Sequence, residues 1–401
     1  MVTQDFTTLP PGYLANPHPM FQMIRESQRI HWSDPMELWI MGRYEDVDSV
    51  LMDPRFSANR AQARSRAAQL AQEQRTEEDY GPFARVSTML TSDPPEHTRL
   101  RGLVSKAFTP RAVENLRPRI QEIVNGLLDQ AEEKGSFELV MDLAYPTPVT
   151  VIAEMLGVPP SDLGDFKRWS DAIVATLGDQ TDEVLANART SINEMVEYLK
   201  DFIADRRKKP RDDLISGLIA AEDDGTVLSE DEIMATTMLL LVAGNETTTH
   251  LISNATYALL QNRDQWDVLR DDPSHIVSAV EELVRYDGPV TATARVATED
   301  IEIAGETIKE GDLAMVILAA ANRDPAKFDN PNQLDVRRNI AEHLAFSDGI
   351  HFCLGSPLAR AEAQITLGTL IQRFPNLKQE SEPEWGGTFV IRGVEKLQVS
   401  V

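Results

Sequence analysis

Cys353 is the only cysteine among the 401 residues, and it lies in the segment 346–360, which reads FSDGIHFCLGSPLAR. Gly349 and Gly355 flank it at positions −4 and +2, and glycines permit tight turns or a close approach of the backbone to a bound group. After Pro357 the apolar residues have helical spacing. A thiol before a helix ionises more readily, because free N–H groups and the helix dipole favour the thiolate. The pattern is suited to metal ligation, whereas most free cysteines are small buried hydrophobic residues.

The same segment resembles the haem-binding loop of the cytochrome P450 superfamily, soluble bacterial type. The pattern of that loop is F-x-x-G-x-H/R-x-C-x-G, and its fixed positions are occupied by Phe346, Gly349, His351, Cys353 and Gly355. The resemblance implies that the Cys353 thiolate is the axial ligand of haem b (iron protoporphyrin IX). A thiolate ligand favours cleavage of the O–O bond over reversible oxygen binding.

Three further segments match the family in the expected order. Residues 243–248 read AGNETT, similar to the oxygen-activation motif A-G-x-D/E-T; alone, they indicate a helix kinked by glycine and a back-bonding threonine. Glu282 and Arg285 match E-x-x-R, although an i,i+3 ion pair is usually a solvated helix face. His97 and Arg101 match H-x-x-x-R, a pair that means little by itself.

The resemblance also implies how haem is held. Its two propionates need cationic or donor partners, and the matching positions are His97, Arg101, Arg295 and His351. Arg295 lies in the β-like run TATARVA; taken alone, it is an exposed strand arginine. Glu282 and Arg285 are expected to form a buried charge network with Arg338, which family spacing favours over Arg337.

Catalytic roles follow from the same resemblance. Glu246 is expected to pass protons inward from solvent, and Thr247 to donate where the O–O bond is cleaved. Ala243 and Gly244 provide low bulk for oxygen and substrate. Peroxide-dependent members commonly lack the acid–alcohol pair, so its presence favours a monooxygenase that uses O2 and externally supplied electrons. A peroxygenase and a haem sensor without turnover are the alternatives.

The electron donor must be a separate protein, because the sequence has no flavin or nicotinamide domain and no iron–sulfur cysteines. The expected donor is a ferredoxin or flavodoxin with an NAD(P)H-dependent reductase. Such donors are usually acidic, which predicts a basic patch on the Cys353 side. Arg99, Lys106 and Arg360 are candidates for it; scattered solvated charges are the alternative.

Substrate selection is expected from residues 59–90, 171–187, 239–243, 290–293 and 389–391. The candidate pocket residues are Leu239, Val242, Val290, Thr291, Thr293 and Val390. Their small, aliphatic character indicates an apolar substrate of moderate size, with the two threonines as hydrogen-bonding groups. Polyketides or macrolides, terpenoids, steroids and fatty acids all fit, and hydroxylation or epoxidation is the expected reaction.

The elements that position these residues predict a mainly α protein with a smaller β-rich portion, in one domain over 1–401. The helical body covers about 96–288 and 357–374, and the β-rich portion about 1–60 and 289–401. Ser229 and Glu232 form a capping box that starts a long helix, expected to end near 260 and to be buried on every face through Leu241. LWIM, TATARVA, DIEIAG, DLAMVILAAA, FVIRG and LQVSV are the predicted strands, and residues 59–79 an excursion with a short helix.

Composition excludes some classes of function. The formal net charge of −25 argues against nucleic acid or an anionic membrane as main partner, because both need a basic face. One cysteine cannot form an intramolecular disulfide. The N-terminal segment lacks a signal-peptide pattern. The longest apolar run, residues 238–244, is far shorter than the roughly 20 residues of a membrane span. We therefore expect a soluble, cytoplasmic protein.

Overall fold

The computed structural model describes residues 10–66, 69, 81–105, 108–176, 181–223, 226–340 and 342–401. The α-helices in these ranges are α1 (His18–Glu26), α2 (Tyr44–Met52), α3 (Glu96–Ser105), α4 (Pro110–Lys134), α5 (Pro146–Leu156), α6 (Leu163–Ala175), α7 (Asp182–Lys208), α8 (Leu214–Ala220), α9 (Glu230–Gln261), α10 (Arg263–Asp271), α11 (Ile276–Asp287), α12 (Leu318–Ala321) and α13 (Ser356–Arg373). None of the helices in the described ranges is long and apolar enough to cross a membrane.

The strands are short. They are β1 (Ile30–Ser33), β2 (Leu38–Met41), β3 (Phe56–Ser57), β4 (Ser136–Glu138), β5 (Glu222–Asp223), β6 (Thr226–Val227), β7 (Thr293–Ala297), β8 (Ile301–Ile303), β9 (Glu306–Ile308), β10 (Leu313–Val316), β11 (Lys378–Gln379), β12 (Glu384–Gly387), β13 (Arg392–Lys396) and β14 (Gln398–Ser400). The protein thus has the mainly helical class that the sequence predicts.

The chain divides into two compact units. Unit 1 comprises Met1–Gln74, Asn254–Cys353 and Trp385–Gly393, and unit 2 comprises Arg75–Ser253, Leu354–Glu384 and Val394–Val401. The domain boundaries expected from the sequence stay a prediction.

Unit 1 is built on a five-stranded mixed sheet with the order β1-β2-β10-β7-β3. β10 pairs with β2 in parallel and with β7 antiparallel, so it lies at the centre. Its buried side chains pack with those of α2, and Val47, Val316 and Ala314 are fully buried. The predicted strand DLAMVILAAA is wrong at its C-terminal end, because the strand ends at Val316 and α12 follows. FVIRG is also placed too early, since β13 begins at Arg392.

Unit 2 contains most of the helices, and its long helix α9 starts as the sequence predicts. The Ser229 backbone N–H donates to Glu232 Oε2 over 2.6 Å, and the Glu232 N–H donates to Ser229 Oγ over 3.2 Å, which completes the capping box. This unit also contains a three-stranded sheet with the order β11-β14-β4. The sequence analysis missed β4, because three residues between two long helices leave too short a pattern to detect.

Candidate active site

The Cys353 loop of unit 1 is a tight turn that depends on Gly349. The φ angle of Gly349 is +66°, and a Cβ at this position would lie 2.5 Å from the carbonyl oxygen of Leu51. The Phe352 N–H donates to the Gly349 carbonyl over 3.0 Å, and the Cys353 N–H donates to the Phe346 carbonyl over 2.9 Å. These bonds hold the backbone that leads up to the thiol, and the Cys353 side chain is exposed.

Two other glycines test whether the chain fits a bound planar group. Gly355 has a φ of −79°, which any residue adopts, and no atom of the described chain lies within 4 Å of the place its Cβ would take. At Gly244 the nearest contact to such a Cβ is 3.9 Å, from Ile152. Neither backbone conformation nor crowding by the chain therefore requires glycine here. A haem plane close to the backbone would account for both, and a single thiolate is a donor that suits haem iron.

The cationic side chains expected at the cofactor are largely buried. In unit 1, Arg295 is 5% exposed on β7, and its Nη1 donates to the Ala294 carbonyl over 3.0 Å. His351 is half-buried in a 3₁₀ turn, and Phe346 is buried with its ring 5.8 Å from that of His343. Buried cations of this kind match the need of buried carboxylates for charged partners.

In unit 2, His97 and Arg101 lie one turn apart on α3. His97 is 3% exposed. The pKa of His97 is lowered, first by burial and then by the positive charge of Arg101, against a smaller opposite effect of Asp93. A carboxylate bound to this helix face would relieve the repulsion between the two side chains.

One stripe of α9 is accessible while the rest of its middle is buried. Leu239, Val242, Ala243, Glu246 and Thr247 are partly or fully exposed, whereas Met238, Leu240 and Leu241 are buried. The spacing of the stripe is that of one helix face. The expectation of burial on every face through Leu241 is therefore wrong at Leu239, because these positions share the face on which the acid–alcohol pair lies.

Within this stripe, Thr247 and Glu246 have distinct environments. Thr247 Oγ1 donates to the Ala243 carbonyl over 2.7 Å. Burial raises the pKa of Glu246 to about 7, with a further rise from Asp171, a smaller opposite effect of Lys167 and a smaller rise from Glu395. The pKa of this carboxyl group therefore lies near neutral pH, which suits a group that both takes up and releases protons.

Three ionisable neighbours of Glu246 were missed by the sequence analysis. His250 Nε2 lies 3.7 Å from Glu246 Oε1, one turn along the buried side of α9. Lys167 and Asp171 form an i,i+4 ion pair of 2.7 Å on α6. The i,i+4 spacing of Glu246 and His250 is a signal that the sequence contains. Nothing in the sequence places α6 beside Glu246, because that packing joins residues about 75 positions apart in the chain.

The predicted charge network lies together in unit 1. The carboxylate of Glu282 accepts from Arg285 Nε over 2.7 Å and from Nη2 over 2.9 Å, and both side chains are completely buried. Arg285 Nη1 also donates to the Asn322 and Pro331 carbonyls. Arg338 Nε lies 3.2 Å from Glu282 Oε1 and is 16% exposed, so it closes the network at its edge.

The candidate substrate residues of unit 1 divide into two groups. Val290, Thr293 and Val390 are partly exposed. Thr291 is 1% exposed, and its hydroxyl donates to the Phe389 carbonyl. This argues against Thr291 as a hydrogen-bond donor to a substrate, because its one proton is already donated to the backbone, and a contact between Thr291 and a substrate stays a prediction.

The expected basic patch is not supported at Arg99. Its guanidinium contacts the carboxylates of both Glu96 and Glu232, so the group as a whole is negative. Lys106 lies outside the described residues, and Arg360 stays a prediction. Near the Cys353 loop, Asp348 and Asp48 interact, and the pKa of Asp48 is raised, mainly by burial and then by the charge of Asp348.

Comparison with known proteins identifies the fold and its chemistry. The family model of cytochrome P450 matches residues 140–387 of the chain. The chain belongs to the cytochrome P450 family. Haem is therefore its cofactor, and it is a class I bacterial P450 monooxygenase with the P450 fold.

Individual relatives match over almost the whole P450. Cytochrome P450 107B1 of Saccharopolyspora erythraea is 42% identical, covering 98% of this chain and 97% of the relative. Cytochrome P450 monooxygenase PikC of Streptomyces venezuelae is 40% identical, covering 98% and 93%. The crystal structure of P450BioI in complex with an acyl carrier protein ligated to hexadec-9Z-enoic acid has a TM-score of 0.89 at 37% identity, covering 97% of this chain and 98% of that one.

Proposed function

We propose that this P450 hydroxylates or epoxidises an apolar small molecule, inserting one atom of O2 and releasing the other as water. Two electrons and two protons complete the balance. The observation that carries the proposal is the accessible stripe of α9, where Glu246 and Thr247 stand beside the small residue Ala243. A site built to deliver protons suits oxygen and electrons better than peroxide, which already contains the protons that the reaction needs.

Cys353 is proposed to hold the haem as its thiolate ligand, with His97, Arg101, Arg295 and His351 at the propionates. When bound, haem supplies the activation of oxygen. Phe346, Gly244 and Gly355 are proposed to lie against it. The tight turn at Gly349 fixes the direction of the thiol, and the burial of Arg295 and His97 supports pairing with carboxylates.

Glu246 and Thr247 are proposed to move protons. With a pKa raised to about 7, Glu246 can take up and release a proton near neutral pH. The ion pair of Lys167 and Asp171 provides an exposed entry, since these side chains are 31% and 45% accessible. Thr247, held against the Ala243 carbonyl, offers its hydroxyl on the same face.

Substrate binding is proposed at Leu239, Val242, Ala243, Val290, Thr293 and Val390. These side chains are partly exposed and mostly aliphatic, which supports an apolar ligand. Fatty acids, polyketides or macrolides, terpenoids and steroids meet this requirement. The fatty acyl chain named in the P450BioI complex supports an acyl substrate as the first class to test.

A ferredoxin or flavodoxin with an NAD(P)H-dependent reductase is proposed as donor, in a cytoplasmic setting. Exposed apolar side chains near the Cys353 loop, Met52, Ile350 and Phe352, support docking there. The neighbouring carboxylates Asp48 and Asp348 favour a donor with cations at its contact surface.

The deciding experiment uses purified haem-loaded protein. The reduced, CO-treated protein should show the thiolate-type Soret shift, and Cys353→Ser should lose it. Product from hexadec-9Z-enoic acid or testosterone that requires ferredoxin, reductase and NADPH supports the monooxygenase. Turnover with hydrogen peroxide alone indicates a peroxygenase. A normal CO spectrum without turnover across an apolar library indicates a sensor.

A further inference from the structure

The turn that carries Val390 is closed by its own backbone. Gly387 precedes it with a φ of +101°, where a Cβ would lie 2.2 Å from the Ile391 carbonyl oxygen. The Thr388 N–H donates to the Ile391 carbonyl over 2.6 Å. Thr388 Oγ1 accepts from the N–H groups of Val390 and Ile391, both over 3.1 Å. The conformation of the turn is thus set within five residues. Two backbone bonds tie it to the segment before β7, since the Thr291 N–H donates to the Val390 carbonyl over 2.9 Å and the Arg392 N–H donates to the Pro289 carbonyl over 3.0 Å. The Phe389 carbonyl takes no part in these bonds.

Tyr13 contacts this turn from the other end of the sequence. Its side chain is 2% exposed, and its hydroxyl donates to the Phe389 carbonyl over 2.9 Å. The rings of Tyr13 and Phe389 are stacked, with centroids 5.5 Å apart and planes inclined by 13°. The Phe389 carbonyl also accepts from Thr291 Oγ1. Two hydroxyl groups on one carbonyl oxygen use both of its lone pairs. Together with the bond from the Val390 N–H to Thr388 Oγ1, they restrain rotation of the 389–390 peptide.

Arg392, which directly follows Ile391 at the end of the turn, is a second anchor. Arg392 is 1% exposed, and its Nε donates to the Leu14 carbonyl over 2.8 Å. Its Nη1 contacts Asp287 Oδ1 at 2.5 Å. The N-terminal segment therefore meets the turn through Tyr13 on one side and through Leu14 on the other, with Val390 between the two anchored residues.

The Tyr13 hydroxyl is a costly group for a residue that only fills space. Burial raises the pKa of Tyr13 to about 12, against smaller opposite effects of Thr291 and Arg392. Phenylalanine would fill the same volume without removing a hydroxyl from water. The hydroxyl is compensated by its bond to Phe389, so the specific contribution of tyrosine at this position is the restraint on that carbonyl.

We propose that Tyr13 is a specificity-determining positioning residue, which acts on the substrate through the Phe389 carbonyl by fixing the direction of Val390. This inference rests on the proposed function, since Val390 is a proposed substrate contact. Loss of the hydroxyl leaves the Thr291 bond, the ring stack and the Arg392 anchor in place. The turn then gains freedom without loss of the fold, and the shape of the site becomes less selective.

Tyr13→Phe is the test, with Tyr44→Phe as matched control. Tyr44 also donates to a backbone carbonyl, that of Glu342 over 2.8 Å, but not to the turn. Azoles that bind haem iron are titrated optically, so no turnover is needed. Imidazole, which needs little pocket shape, should keep its Kd in both variants. For 4-phenylimidazole and miconazole, Kd should change by about threefold or more in Tyr13→Phe, the order expected for one neutral hydrogen bond.

Hydrogen exchange provides the second readout. Amides of 388–391 should exchange faster in Tyr13→Phe than in the wild type or Tyr44→Phe, and Tyr13→Phe/Thr291→Val should enlarge both effects. Unchanged azole ratios or unchanged exchange overturn the proposal. Equal weakening of all three azoles, or loss of haem, assigns Tyr13 a general structural role and also overturns it. Failure of the proposed function has another signature: normal azole binding without turnover.

Discussion

The hydroxyl of Thr247 lies 2.7 Å from the carbonyl oxygen of Ala243, one turn earlier on the same helix. A threonine that donates back to the i−4 carbonyl bends and loosens a helix. On this stripe, the same bond points the hydroxyl along the face that Glu246 shares. To donate a proton elsewhere, Thr247 must release the Ala243 carbonyl, and rotation about χ1 is sufficient for this.

Thr247→Ala should therefore keep haem and the thiolate-type CO spectrum but lose coupling, that is, the formation of product for each NADPH consumed. Product per NADPH is expected to fall about tenfold or more, since general acid groups contribute at least that much, and hydrogen peroxide should replace it. Thr247→Ser should retain most product. The matched control is Thr237→Ala, because Thr237 makes the same back-bond, to Ile233 over 2.8 Å, on a buried part of α9. Full coupling in Thr247→Ala would contradict the assignment.

The pH dependence of coupling should follow Glu246. Its pKa is raised to about 7, so the carboxyl group is protonated below that pH and ionised above it. Product per electron should fall as pH rises through about 7, and Glu246→Gln should abolish this step. Asp171→Asn should move the midpoint down and Lys167→Met should move it up, because Asp171 raises the pKa and Lys167 lowers it. Shifts of the pH midpoint in the opposite direction would show that Asp171 and Lys167 do not set the pKa of Glu246.

The same group gives a prediction for stability. The unfolded chain ionises Glu246 near its ordinary pKa, about 4.3, whereas the folded protein keeps the proton up to about 7. Its contribution therefore becomes unfavourable as pH rises between these values and is constant above them. Glu246→Gln should raise the urea midpoint at pH 8 relative to the wild type but not at pH 4. An equal effect at both values would contradict the shifted pKa.

The buried pair of Glu282 and Arg285 should be essential to the fold. Arg285→Met leaves the buried Glu282 carboxylate with the more exposed Arg338 and the Asp335 N–H, and breaking such a pair costs about 3–5 kcal/mol of unfolding free energy. Urea unfolding and haem content measure this. Lys309→Met, which removes an exposed partner of Asp300, is the control and should have a much smaller effect. Similar losses in both variants would show that burial of the first pair is unimportant.

Substitution of two glycines of the Cys353 loop should have different effects, one on stability and the other on haem uptake. Gly349→Ala places a Cβ against the Leu51 carbonyl at a positive φ, so thermal unfolding of the haem-free protein should occur at lower temperature. Gly355→Ala meets no described atom within 4 Å, so the haem-free protein should be as stable as the wild type while haem uptake falls. Normal haem uptake in Gly355→Ala would mean that this glycine does not lie against the cofactor.

Local pattern was sufficient for the elements whose signals lie within a few residues. The capping box at Ser229 and Glu232, the strand LWIM and the helix after Pro357 all depend on neighbours in the sequence, and their interpretation is confirmed. DLAMVILAAA was wrong at its end, since alanine favours a helix over a strand and the run of alanines belongs to α12, which follows β10. Residues 67–68 and 70–79 of the predicted excursion lie outside the described residues.

The sequence by itself determined the family, the cofactor and the reaction class, because the motif around Cys353 and its companions combine residue types and spacings that chance does not supply. Only the tertiary structure decided which side chains lie beside the residues of the candidate site. Lys167 and Asp171 reach Glu246 because α6 packs in the same unit, and Tyr13 reaches Phe389 across 376 positions of sequence. Charge, burial and hydrogen bonding depend on distance in space, and short-range pattern carries no information about contacts between residues so far apart in the chain.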